Sequence, residues 1–139
     1  MKILVLLVMA FLFACAQKEK EVKPLQKKPL YYMPVKGKLK IHGSGFYIKS
    51  KCGEFVRAVE EGKVIYAGKD IGSYGWVVIV EQKDGYVSVY GKVQRPWVKA
   101  GELVKKRQII GKVGRVKKWC GVYYEVRNKF GESIEPMLR

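Results

Sequence analysis

A catalytic zinc rests on three ligands drawn from His, Cys, Asp and Glu, with a fourth position left open for water. This chain of 139 residues offers one histidine, His42, two aspartates, Asp70 and Asp84, and three cysteines, Cys15, Cys52 and Cys120. Cys52, Cys120 and His42 would make a three-ligand set of a kind zinc accepts, although their spacing follows no known zinc pattern. A disulfide between Cys52 and Cys120 is the plainer reading, if Cys15 is used elsewhere and the compartment is oxidising. On this count neither a metal nor another cofactor is expected.

Cys15 meets both conditions. Met1 to Ala14 is one Lys followed by an unbroken apolar run that ends in a small residue. The run is too short to span a bilayer, which takes about 20 apolar residues, and it has the charged and apolar regions of an export leader. Cys15 directly after Leu12-Phe13-Ala14 resembles the lipobox of bacterial lipoproteins, in which the cysteine is lipidated and becomes the first residue of the mature chain. Ala16 and Gln17 follow it, not the Asp that signals inner-membrane retention. A periplasmic protein anchored to the outer membrane through its lipid is therefore expected.

The formal charge is +16, and Lys2 is the one cation that the leader would remove. Such a balance raises the question of nucleic acid, but export argues against it. The polyanions on offer outside the cytoplasm are peptidoglycan carboxylates, lipid headgroups and acidic proteins. Much of the excess also reads as a plain solvated Lys-rich surface.

Ala16 to Leu30 is polar, charged and interrupted by Pro24 and Pro29. It has too little apolar surface to offset its ordering entropy and reads as a basic tether between Cys15 and a domain spanning residues 31–139. From Tyr31 on, short β-branched and aromatic runs alternate with glycine. Phe55–Val59, Gly62–Ala67, Trp76–Glu81, Tyr86–Tyr90, Gln108–Val113 and Val122–Arg127 all read as strands. Asp84-Gly85 marks a hairpin between the third and fourth of these runs. No window after the leader has a 3.6-residue apolar period. The fold class is all-β, a small antiparallel sheet or barrel-like sandwich.

The order of these phrases from Pro34 to Pro136 resembles the LytM, or lysostaphin-like, family of peptidoglycan zinc peptidases. Met33 to Gly37 looks like the family's entry strand, Gly53 to Gly68 its most regular stretch, and Gly72 to Val80 the next strand. Val98 to Val104 and Gln108 to Gly114 match its paired glycine turns, and Tyr124 to Arg127 and Ile134 to Pro136 its last strands. Active members hold zinc through a His and an Asp four residues apart and the second His of a His-x-His, with one further catalytic His. The resemblance places these positions on Gly43 and Tyr47, on Gly121 and Tyr123, and on Lys92. It also places Cys52 and Cys120 in loops flanking the former active-site cleft.

A domain that keeps the family's framework and loses its ligands resembles the degenerate domains of the murein hydrolase activators, the EnvC and NlpD types. The resemblance implies a non-catalytic protein that binds and activates periplasmic cell-wall amidases through the vacated cleft. The candidate groove residues are Tyr47, Lys92, Gly121 and Tyr123, with Arg57 and Arg127 near them. Tyr and Arg are enriched at binding hot spots, but each Tyr also reads as an apolar plug of the vacated metal site. The coiled coil and the sugar-binding module of those activators do not occur in the chain. The alternative is a peptidoglycan-binding lipoprotein that tethers the membrane to the wall, and a divergent murein metalloendopeptidase is a remoter one. Trp97 and Trp119, flanked by cations, suit sugar stacking or a rim packed by Lys stems alike. Trp76, Tyr86 and Tyr90 read as core.

Overall fold

The computed structural model describes residues 27–139. The leader, Cys15 and the greater part of the expected tether lie outside the described residues.

Thirteen strands follow one another: β1 (Leu30–Tyr31), β2 (Lys38–His42), β3 (Gly45–Lys49), β4 (Phe55–Arg57), β5 (Gly62–Gly68), β6 (Val77–Gln82), β7 (Val87–Gly91), β8 (Val93–Pro96), β9 (Leu103–Val104), β10 (Ile109–Val116), β11 (Trp119–Arg127), β12 (Ser133–Ile134) and β13 (Met137–Leu138). One 3-10 turn, Gly72–Tyr74, is the sole helical element among the described residues. The main sheet runs β2-β3-β11-β7-β6-β5-β9. A second layer forms where β10 leaves its pairing with β11 and takes β4 and β8 as partners. The ladders are antiparallel apart from β1 with β13, which is parallel.

The period-two pattern of β11 explains the layering. Val122, Tyr124 and Val126 turn inward and are fully buried with Ile48, Tyr90, Val78 and Val80. Tyr123, Glu125 and Arg127 turn to the other face, because successive side chains in a strand alternate. The inner face also carries polar atoms, and all of them are satisfied. The Tyr124 hydroxyl lies 2.9 Å from Ser88 Oγ, Ser88 donates to Gln82 Oε1, and Gln82 Nε2 donates to the Tyr31 hydroxyl at 2.9 Å. Tyr31 in turn donates to Asp84 at 2.5 Å. A buried polar group without a partner costs several kcal/mol, so this chain of hydroxyls and amides fixes β1 and the β6–β7 turn against the core.

Two details differ from the expectation. The folded part begins before Tyr31: the Pro29 carbonyl accepts from Met137 N at 2.8 Å, and the Lys27 carbonyl accepts from the Tyr86 hydroxyl at 3.3 Å. Met33 to Gly37 forms no strand. Its groups pair singly instead, Met33 N with the Arg139 carbonyl and the Pro34 carbonyl with Arg57 N, while Val35 is buried. Pro34 has no N–H to give a ladder, which is why this segment packs as an irregular strap.

Candidate functional site

On the outward face of the main sheet, β3 and β11 set Tyr47 directly opposite Tyr123, and β7 sets Gly91 on Tyr123's other side. The two rings meet edge to face with centroids 5.4 Å apart. His42, the last residue of β2, lies with its ring 4.4 Å from Tyr47, and Tyr74 from the 3-10 turn lies 5.6 Å from Tyr123. These side chains and Lys92 line a cleft of about 280 Å³.

Behind the Tyr123 and Tyr74 hydroxyls lies Glu125, two residues along β11 from Tyr123 and 1% exposed. Its Oε2 accepts from the Tyr123 hydroxyl at 2.9 Å and from Ser44 Oγ at 3.2 Å. Its Oε1 accepts from the Tyr74 hydroxyl at 2.9 Å and from Arg127 Nε at 3.0 Å. Burial alone would raise the carboxyl's pKa. The bonds from Tyr123, Tyr74 and Arg127 and the charge of Arg127 outweigh it, and the carboxyl is held below the usual range. The phenols shift the opposite way. Burial, and then the bond to an ionised Glu125, raise Tyr123 and Tyr74. Arg127 is raised too, its desolvation outweighed by the hydrogen bond and charge of Glu125.

Small residues make room for this arrangement. A Cβ at Gly45 would lie 2.6 Å from the Tyr123 hydroxyl, so a side chain there would displace it from Glu125. A Cβ at Gly121 would lie 2.3 Å from the Ile48 carbonyl oxygen. Gly121 is buried, and the position admits no side chain into the cleft.

Lys92 stands apart. Its backbone is left-handed, φ 58°, a conformation that costs a non-glycine residue on the order of 1 kcal/mol. The residue is held there by its N–H donating to the Tyr74 carbonyl at 2.8 Å and its carbonyl accepting from Gly114 N at 2.9 Å. It lines the aromatic cleft and also a larger neighbouring one of about 790 Å³, where Lys112, Arg115, Trp76 and both Cys52 and Cys120 are found. Cys52 and Cys120 are joined in a disulfide with Cα atoms 5.1 Å apart, which ties the loop after β3 to the start of β11.

The structure thus gathers Tyr47, Tyr123 and Lys92 at one cleft, with Arg127 beneath it through Glu125. Gly121 is buried beside the cleft. Arg57 is elsewhere, on β4, its Nη1 donating to the Arg107 carbonyl at 3.0 Å. Sequence reasoning missed Glu125, Tyr74 and Ser44. A charged residue on the Tyr123 side of an otherwise apolar strand was the signal for Glu125. Nothing local marked Ser44 or Tyr74, which come from a hairpin turn and a 3-10 turn.

These residues do not fit a zinc ion. Gly43 has no side chain, Tyr47 is packed between His42 and Tyr123, and the Tyr123 hydroxyl is committed as a donor to Glu125. Among the described residues no three His, Cys, Asp or Glu gather as a metal requires.

Residues 42–136 match the description of peptidase family M23, and the chain belongs to that family. It is similar to an NlpD/LppB lipoprotein homologue of Pseudomonas aeruginosa, 35% identical over 98 residues that are 67% of this chain and 31% of that protein. It is also similar to the murein hydrolase activator NlpD of Escherichia coli, 30% identical over 94 residues, 67% of this chain and 24% of the other. The chain therefore spans less than a third of the length of these relatives. In fold it is similar to the crystal structure of a putative M23 peptidase from Pseudomonas aeruginosa, with a TM-score of 0.68 and 22% identity over 92% of this chain and 57% of that one.

Proposed function

We propose that this is a non-catalytic, lipid-anchored regulator of cell-wall remodelling, in which the aromatic cleft docks and activates a periplasmic peptidoglycan amidase. One observation carries the reading. The positions where an active family member holds its metal are filled by Gly43, Tyr47 and Tyr123, and Tyr123 is locked to a buried, ionised Glu125. A plugged site that keeps an open cleft of about 280 Å³, lined by Tyr rings with a cation at its edge, suits protein recognition better than bond cleavage. The names of the NlpD relatives point the same way. In this reading Cys15 carries the lipid, and the protein sits in the periplasm on the outer membrane.

The test is to assay the purified mature protein on isolated peptidoglycan, alone and with each periplasmic amidase of the native cell, alongside metal analysis. The reading requires no stoichiometric zinc, no release by the protein alone, and stimulated release with at least one amidase. One tightly bound zinc per chain with chelator-sensitive cleavage would overturn it. Salt-sensitive binding to peptidoglycan without any stimulation would favour the wall-tether alternative.

A further inference from the structure

Strand β2 is an edge of the main sheet, and all five of its residues, Lys38-Leu39-Lys40-Ile41-His42, are exposed. Its register sets Lys38 directly opposite Lys49 of β3. Like charges facing each other across a ladder destabilise the pair. Lys36 and Lys51 stand at the same end, and the four lysines with Ser50 and Glu54 line a shallow pocket of about 560 Å³. Lys40 continues the row along β2. Among the described residues none of these five lysines has a carboxylate within ion-pair distance. Lysines on an open edge strand guard it against pairing with other chains, but that role does not require Lys38 to face Lys49 or Lys36 and Lys51 to join them.

The other face of the same strand is apolar and uncovered. Ile41 is 72% exposed and Leu39 42%. One exposed strand therefore carries cations on one side and bare aliphatic side chains on the other. That pattern matches the boundary between lipid headgroups and acyl chains. Its place in the molecule matters as much. Ile41 shares a second shallow pocket with Ile134 and Glu135, and Glu135 holds the Lys28 ammonium at 3.8 Å. Lys28 thus reaches toward the Ile41 end of this edge, while the Lys27 carbonyl lies against Tyr86. Only 11 residues lie between Cys15 and Lys27, a reach of at most about 40 Å.

We propose that the β2 edge is a membrane-docking surface for a bilayer with anionic phospholipid headgroups. Lys36, Lys38, Lys40, Lys49 and Lys51 meet the phosphates, and Leu39 and Ile41 enter the interface. Each surface lysine contributes about fivefold to such partitioning, or about 1 kcal/mol. Five lysines and two aliphatic side chains suffice for a salt-sensitive contact that orients the domain once the lipid has delivered it. An acidic protein partner would meet the lysines equally well, but it gives no account of bare Ile41 at the end toward which Lys28 reaches.

The test uses the mature chain, residues 15–139, carrying Cys15→Ser so that no acyl chain is present. Its sedimentation with vesicles of phosphatidylcholine containing about a third phosphatidylglycerol is compared with that on pure phosphatidylcholine, at low and high salt. Binding to the anionic vesicles alone, lost at high salt, is expected. The triple variant Lys38→Glu/Lys40→Glu/Lys49→Glu should reduce the partition coefficient roughly 100-fold or more. A control triple, Lys63→Glu/Lys99→Glu/Lys105→Glu, makes the same change in net charge away from the patch and should lose under about fivefold. Ile41→Asp should weaken binding about tenfold without touching a lysine. Equal losses in the two triples would assign the effect to net charge and overturn the proposal. So would failure of the unsubstituted chain to bind anionic vesicles, including the case where it binds peptidoglycan or an acidic protein in the same buffer. Circular dichroism of each variant checks that it is folded, and Lys→Gln versions replace any that are not.

Discussion

Glu125 takes four hydrogen bonds on its two oxygens, and the donors come from three elements: Tyr123 and Arg127 on β11, Ser44 from the β2–β3 turn and Tyr74 from the 3-10 turn. Replacing it by Leu leaves two phenols, the Ser44 hydroxyl and a guanidinium without their acceptor, and a loss of about 3 kcal/mol in denaturant unfolding is expected. Tyr123→Phe removes one bond and should cost about 1 kcal/mol. Tyr123→Ala also opens a cavity under Tyr47 and should cost about 3–5 kcal/mol, so a loss of function in that variant would be hard to separate from a loss of fold. The same cluster sets a pH dependence. The Glu125 pKa is lower in the folded state, so its contribution is present above the ordinary carboxylate value and is lost as pH falls through the folded one. Tyr74 and Tyr123 have raised values, so theirs is present below about pH 10 and is lost as pH rises through the folded value. Unfolding free energy measured across pH should show a plateau between about 5 and 10 with a fall on both sides. A profile still rising below pH 4 would contradict this account of the cluster.

Strands with one buried face were legible because alternation survives in them. Tyr86 to Tyr90 and Val122 to Arg127 read as strands and are β7 and most of β11. The β2–β3 hairpin was not proposed as strands, although it carries Tyr47. β2 is exposed on both faces and buries no set of residues to reveal its register, and the turn Gly43-Ser44 that reverses it reads as loop. The cleft was legible only as far as the resemblance reached. Arg57 was grouped with it because its type suits a hot spot, but β4 pairs with β10 on the second layer, away from β11's outward face. Glu125 and Tyr74 meet by long-range packing that no local pattern encodes. The disulfide binds the loop after β3 to the start of β11 and closes a separation of 68 residues. The chain-entropy account gives such a closure about 4 kcal/mol. Protein taken from the envelope should show no free thiol at Cys52 or Cys120 by mass spectrometry, and Cys52→Ala/Cys120→Ala should unfold at a lower denaturant midpoint by that order.

As a whole molecule, the described residues form a basic β domain, and the sequence before it is expected to hold an export leader and a lipidation site at Cys15. Cys15→Ser should release the protein from membranes when salt is high enough to screen the lysine edge, at about 1 M where the Debye length is near 3 Å. Persistent sedimentation at that salt would mean that the acyl chain is not the anchor. The entry of the chain beside Glu135 and the opening of the cleft near Lys92 lie toward opposite ends of β11 and β7, because Val87 faces Arg127 while Gly91 faces Tyr123. The most direct test of the docking account is Lys92→Glu. This side chain lines both clefts and, apart from its backbone, supports nothing in the core, so the substitution should shift stability by under about 0.5 kcal/mol. Reversing a charge within a docking site costs about 2–5 kcal/mol, or roughly 30- to several-thousand-fold in affinity. Titrated against the amidase that the unsubstituted protein stimulates, folded Lys92→Glu protein should require at least about 30 times the concentration for the same peptidoglycan release. An unchanged titration curve would contradict the cleft as the docking site.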